Sequence, residues 1–135
     1  MSVGAWDPNQ SAESDTFTID QTLLQEFISL SEKQLLDNLS AHLTQVRINQ
    51  QIPLMTLAKE RWWKAAEPLS TQQINHLIRF FTVAEMQLNG WEAGSESPVV
   101  WLAKVLRQRK QPLEKEQLLW IRAHSDNRFL PNGAL

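Results

Sequence analysis

The sequence predicts an all-α fold, a compact bundle of five or six short helices. Apolar side chains recur every three or four residues along most of the chain, which is the period of one helical face. No segment of useful length alternates apolar and polar residues, as a half-buried strand would. Prolines and Ser-x-x-Gln patterns indicate where helices end and begin. A chain of 135 residues is long enough to form one core.

Two helices are predicted in the first third of the chain. The first begins near Thr18 or Asp20, and the Asp20 carboxylate can accept hydrogen bonds from the first turn. Its apolar face consists of Leu23, Leu24, Phe27 and Ile28. A second helix is predicted from Ser31, because Ser31 and Gln34 have the spacing of a capping box. Its apolar face consists of Leu35, Leu39, Leu43 and Val46. Residues 29–31 either break the path between the two helices or only bend it.

The third and fourth helices are predicted on either side of Pro68. The third spans about 54–66, and the fourth begins after Ser70, which forms a second capping box with Gln73. The stripe of the fourth helix consists of Ile74, Leu77, Ile78, Phe81, Ala84 and Leu88. Gly90 supplies the left-handed residue that commonly follows a helix. Further apolar residues lie outside the stripe, so we expect this helix to be central.

Two more helices and two tails complete the predicted architecture. Ser97 followed by Pro98 predicts a helix start, because proline at the first helical position loses no hydrogen bond. This fifth helix should run to about residue 110, and the sixth should span about 113–123. Residues 1–17 are polar and acidic, which predicts a disordered tail before a single helical domain at 18–135. Phe129 and Leu130 are expected to dock onto the helices.

Composition limits the compartment and the chemistry. The chain has no cysteine, which excludes disulfides, thiolate metal sites and cysteine nucleophiles. No run approaches the roughly 20 apolar residues that a membrane-spanning helix needs. The first 17 residues contain no Lys or Arg and no apolar core, so we expect no signal peptide there. A cytoplasmic protein without a membrane partner is the simplest interpretation.

The net charge of −2 conceals an asymmetry along the chain. Residues 1–50 carry seven acidic and two basic side chains, a net charge of −5. Residues 91–135 carry seven basic and five acidic side chains, a net charge of +2. An acidic front and a basic rear favour self-association or an oriented partner, although chance surface charge explains the pattern as simply.

No motif in the sequence indicates catalysis. The four glycines form no phosphate-binding loop, and no glycine-flanked nucleophilic serine is present. None of His42, His76 and His124 has another histidine or a carboxylate one helical turn away. We therefore expect a non-enzymatic protein with no catalytic residues, no metal and no cofactor.

Six tryptophans, with no tyrosine, are the most distinctive part of the composition. If Trp62 faces the core, Trp63 lies about 100° away at the edge of its helix. Trp120 similarly lies beside the apolar stripe of the sixth helix. Partly exposed tryptophans with nearby arginines often anchor interfaces. The leading hypothesis is an interaction or regulatory protein that binds a protein partner or itself through an edge presenting Trp63 or Trp120. Nearby arginines, with Arg122 as the candidate, would form a polar rim.

Two alternatives remain from the sequence. The first is nucleic-acid binding through the basic rear, with Trp101 as a base-stacking partner. The candidate residues are Lys104, Arg107, Arg109, Lys110 and Arg128. It is less favoured because the chain is acidic overall and basic residues at a helix end complement the helix dipole. The second alternative is a small apolar ligand held between helices.

Overall fold

A computed structural model of the chain describes residues 17–130 and confirms the all-α prediction. These residues form six α-helices and three short 3₁₀ helices, with no β-strand among them. The α-helices are α1 (Gln21–Glu32), α2 (Gln45–Gln50), α3 (Lys59–Ala66), α4 (Thr71–Gln87), α5 (Pro98–Gln108) and α6 (Lys115–His124). The 3₁₀ helices are Leu36–Ala41, Ile52–Thr56 and Gly94–Glu96. The predicted N-terminal tail lies outside the described residues, apart from Phe17.

The long helix α4 is the centre of the bundle. It packs against α1, α5, α6 and the 3₁₀ helix Leu36–Ala41, while α3 packs against α5. Being covered on several sides, α4 buries Phe80 and Val83 in addition to its predicted stripe. No helix within residues 17–130 has both the length and the apolar content to cross a membrane.

Five aromatic rings form the middle of the core, which we call the aromatic cluster. Its members are Phe27, Trp62, Phe80, Phe81 and Trp91, all fully buried. Phe27 stacks on Phe80 with ring centroids 4.0 Å apart. Phe81 makes edge contacts with Trp62 at 5.3 Å and with Phe80 at 5.2 Å. The cluster joins α1, α3, α4 and the loop after α4, so it connects most of the fold.

Three of the predicted helix starts are confirmed by their caps. The Asp20 carboxylate accepts from the Thr22 N–H at 2.9 Å. At α4, the Ser70 hydroxyl accepts from the Gln73 N–H at 3.1 Å, and the Gln73 side chain accepts from the Ser70 N–H at 2.9 Å. At α5, the Ser97 hydroxyl accepts from the N–H of Val99 at 3.1 Å.

The predicted helix start at Ser31 is wrong. Ser31 is a buried residue inside α1, which continues to Glu32. Gln34 then adopts a left-handed conformation with φ 60°. The N–H of Leu35 donates to the carbonyl of Leu30, and the N–H of Gln34 donates to the carbonyl of Ser31. This pair of bonds is a Schellman motif, which ends α1 where the sequence predicted a beginning.

Two other predicted boundaries need correction. The predicted second helix is instead the 3₁₀ helix Leu36–Ala41 followed by the short helix α2, and Val46 is exposed. The predicted helix at 54–66 is divided, because Leu57 and Ala58 have extended backbones between the 3₁₀ helix Ile52–Thr56 and α3. In the C-terminal segment Leu130 is buried and Phe129 is partly buried.

Candidate functional site

The Trp120 side chain is held by one residue from its own helix and one from α4. The rings of Trp120 and His124 stack with centroids 4.1 Å apart and planes 19° apart. His124 Nδ1 also lies 2.7 Å from the Trp120 carbonyl oxygen. The guanidinium carbon of Arg79 lies 5.6 Å from the centroid of the Trp120 ring. The indole is therefore fixed in place although it is only partly buried.

A cleft of about 330 Å³ lies beside this indole, and we call it the Trp120 cleft. It is lined by Ser31, Gln34, Leu36, Asp37, Arg79, Val83, Trp120 and His124. Most of these side chains are polar, and Arg79 and Asp37 bring charges of opposite sign. The cleft thus offers hydrogen-bond donors and acceptors next to an aromatic surface.

Ser31 and His76 form a hydrogen-bonded pair between α1 and α4. The Ser31 hydroxyl oxygen lies 2.8 Å from His76 Nδ1. A nucleophilic serine also needs a group that orients its histidine and donors for the oxyanion. In residues 17–130, no carboxylate is hydrogen-bonded to His76. We interpret the pair as a tie that fixes α1 on α4 at one wall of the Trp120 cleft.

The three candidate interface residues lie on two helices, Trp63 on α3 and both Trp120 and Arg122 on α6. Trp63 lies on α3, partly buried, with the Lys59 ammonium 5.3 Å from its ring centroid. Trp120 lies on α6, which packs against α4. Arg122 is exposed and follows Trp120 by two positions, which places it about 200° around the helix. The arginine at Trp120 is Arg79, a pairing between helices that sequence spacing does not reveal.

The predicted basic residues divide between two regions. Lys104 lies with its ammonium 5.2 Å from the ring centroid of Trp101. Arg109 donates to the Ala66 carbonyl at 3.0 Å and so ties the ends of α5 and α3 together. Arg107 and Lys110 are exposed at the same end of α5. Arg128 is elsewhere, in the C-terminal segment, with its guanidinium carbon 5.2 Å from the Phe129 ring centroid.

Helix α3 adds charge to the basic part of α5, and we call residues 59–67 and 98–110, which comprise the two helices and the residues directly after each, the basic helix pair. Residues 59–67 and 98–110 carry seven basic and two acidic side chains, a net charge of +5 in a chain of net charge −2. The two helices pack against each other. Each presents a partly buried tryptophan with a lysine over its ring, Trp63 with Lys59 and Trp101 with Lys104.

Glu85 is a buried carboxylate that sequence analysis did not single out. It lies in the central helix α4 and is only 5% exposed, whereas most glutamates in proteins are exposed. Ser97 Oγ donates to Glu85 Oε2, and Asn127 Nδ2 donates to Oε1 at 3.2 Å. The Ala93 N–H donates to Oε1 at 3.4 Å. Glu85 thereby ties the loop before α5 and the C-terminal segment to α4.

Burial raises the pKa of the Glu85 carboxyl, because removal from water disfavours its charged form. The hydrogen bonds from Ser97, Asn127 and Ala93 oppose this increase, and the nearby Glu92 carboxylate adds to it. The available sequence signal is weak: Glu85 is one acidic residue within a mostly apolar stretch of the central helix, residues 80–86. A perturbed buried carboxyl beside a cavity is a typical feature of binding sites.

A cavity of about 480 Å³ lies next to Glu85, and we call it the Glu85 cavity. Its apolar wall includes Met86, Ala93 and Phe129.

The part of the chain that the structure describes contains no group of three histidine or acidic side chains placed to hold a metal ion. Comparison with known proteins finds no matching family model, curated protein or solved structure.

Proposed function

We propose that this chain is a non-enzymatic interaction protein that binds a segment of a partner protein in the Trp120 cleft. The observation that carries the proposal is the Trp120 indole, fixed by Arg79 and His124 beside a cleft of about 330 Å³. Tryptophan and arginine are the residue types that most often dominate binding energy at protein interfaces.

The chemistry of the cleft supports a polypeptide as the ligand. A peptide backbone presents both N–H donors and C=O acceptors. The cleft has donors on Arg79 and acceptors on Asp37, with Gln34 able to act as either. Leu119, next to Trp120 on α6, is 57% exposed and adds apolar surface outside the cleft.

We further propose a cytoplasmic location, with which the absence of cysteine is compatible.

Trp120→Ala is expected to weaken partner binding by at least tenfold, corresponding to a loss of about 1.4 kcal/mol or more. The partner can be recovered by affinity purification with the wild-type chain and its affinity then compared among variants. Arg122→Ala is the matched control, because Arg122 is exposed on the same helix and does not line the cleft. Circular dichroism should show equal helicity in both variants.

The same experiment also tests whether the partner is a second copy of this chain. Light scattering of the wild-type chain and of Trp120→Ala reports whether a second copy is the partner. Unchanged recovery of every partner together with an unchanged oligomeric state would exclude the Trp120 cleft as the interface.

A second candidate function is single-stranded nucleic-acid binding on the basic helix pair. It is favoured by the net charge of +5 and by the two lysine-covered tryptophans, since basic side chains and aromatic rings are the usual elements of such surfaces. Lys104→Ala is expected to reduce the slope of log affinity against log salt by about 0.7 for a single-stranded RNA probe. Lys115→Ala on α6 is the control. Binding that does not weaken with added salt would contradict this function.

A further inference from the structure

The Glu85 cavity has the size and the mixed lining of a small-molecule site. Its volume of about 480 Å³ falls within the usual range for ligand pockets, about 300–1,000 Å³. Met86, Ala93 and Phe129 provide an apolar wall, and Glu85 provides a single buried carboxylate. This combination suits a ligand with an apolar body and one polar group.

The hydrogen bonds of Glu85 leave room for one more donor. A carboxylate has about four acceptor positions on its two oxygens. Oε1 accepts from Asn127 and Ala93, whereas Oε2 accepts from Ser97 alone. Three protein donors therefore leave about one acceptor position of the carboxylate for a further donor, and Glu85 is among the residues that line the cavity.

The charges around the cavity determine the sign of the ligand. Glu85, Glu92 and Asp126 line it, and the one basic residue among its lining side chains, Arg128, lies over the Phe129 ring. An anionic ligand would be placed close to three acidic side chains, which costs binding energy. Burial deprives the Glu85 carboxylate of hydration by water. A cationic ligand compensates for this loss by forming a charge-assisted hydrogen bond with it.

We propose that the Glu85 cavity binds a small organic amine, with its ammonium group on Glu85 and its apolar body against Met86 and Phe129. This site is separate from the Trp120 cleft, which is lined by different residues. The proposal therefore does not depend on the proposed function of the cleft.

The test uses the full chain and two probes of similar shape and opposite charge, phenethylamine and 3-phenylpropionate. Titration followed by NMR chemical shifts is expected to show roughly tenfold tighter binding of the amine. Glu85→Gln is expected to weaken amine binding by about tenfold, because it removes the charge that receives the ammonium. Glu96→Gln is the control, since Glu96 is exposed in the same loop region and does not line the cavity.

A second variant keeps the test decisive if Glu85→Gln does not fold. Glu92 is exposed at the cavity, so Glu92→Lys should fold normally and lower the ratio of amine to carboxylate affinity severalfold. Equal affinity for the two probes, no binding of the amine, or a ratio unchanged by Glu92→Lys would each overturn the proposal.

Discussion

Phe81→Ala is expected to lower the free energy of unfolding by about 3–5 kcal/mol, the usual range for removing a buried phenylalanine ring. Phe81 is fully buried and contacts all four other rings of the aromatic cluster. Each edge or stacked contact adds about 0.5–1.5 kcal/mol beyond the buried area. Because a domain is stable by only about 5–15 kcal/mol, this one change removes a large part of the stability.

Urea denaturation followed by tryptophan fluorescence measures this loss. Leu119→Ala is the control, because it also shortens a large apolar side chain, but at a position that is 57% exposed. We expect the control to change stability by about 0.5 kcal/mol or less. A loss below about 1 kcal/mol for Phe81→Ala would show that the aromatic cluster does not form the core of the folded protein.

Glu85→Gln is expected to remove a decline in stability that the wild-type chain undergoes as pH rises. Burial raises the pKa of Glu85 in the folded state above its ordinary value of about 4.3. Below that ordinary value the carboxyl is protonated in both states and no charge is buried. As pH rises, the unfolded chain loses the proton first, so the folded state binds more protons and its stability falls. The fall ends once pH exceeds the folded-state pKa.

The measurement is the difference in unfolding free energy between wild type and Glu85→Gln, from about pH 4 to about pH 8. Titrating groups that do not interact with Glu85 contribute equally to both proteins and cancel in this difference. We expect the difference, wild type minus variant, to decrease with rising pH. The corresponding difference for the exposed control Glu96→Gln is the reference for removal of a carboxylate outside the buried site. A wild-type minus Glu85→Gln difference that increases with pH would reverse the inferred direction of the pKa shift.

Local sequence signals predicted helix starts well where tertiary contacts agree with them. Ser31 and Ser70 have the same Ser-x-x-Gln pattern, yet only Ser70 caps a helix. The Ser70 hydroxyl accepts a hydrogen bond from the first turn of its own helix. Ser31, in contrast, is buried against α4 and is hydrogen-bonded to His76. Burial against another helix overrides a capping signal worth about 1 kcal/mol.

The candidate sites were less predictable than the helices. The position of Trp120 at a helix edge follows from helical periodicity, but its partner Arg79 lies 41 positions earlier in the chain. The Glu85 cavity depends on three separate segments that Glu85 joins, around residues 85, 93–97 and 127. No spacing rule connects such segments, because their meeting depends on how the whole bundle packs.

The left-handed backbone of Gln34 has a consequence for the Trp120 cleft, which Gln34 also lines. A residue other than glycine in this conformation costs about 1–3 kcal/mol and persists only where its surroundings enforce it. The folded chain therefore already holds the Gln34 backbone in this conformation before any partner binds. A partner segment would enter a pre-organised surface, and less of its binding energy would be spent on ordering the receptor.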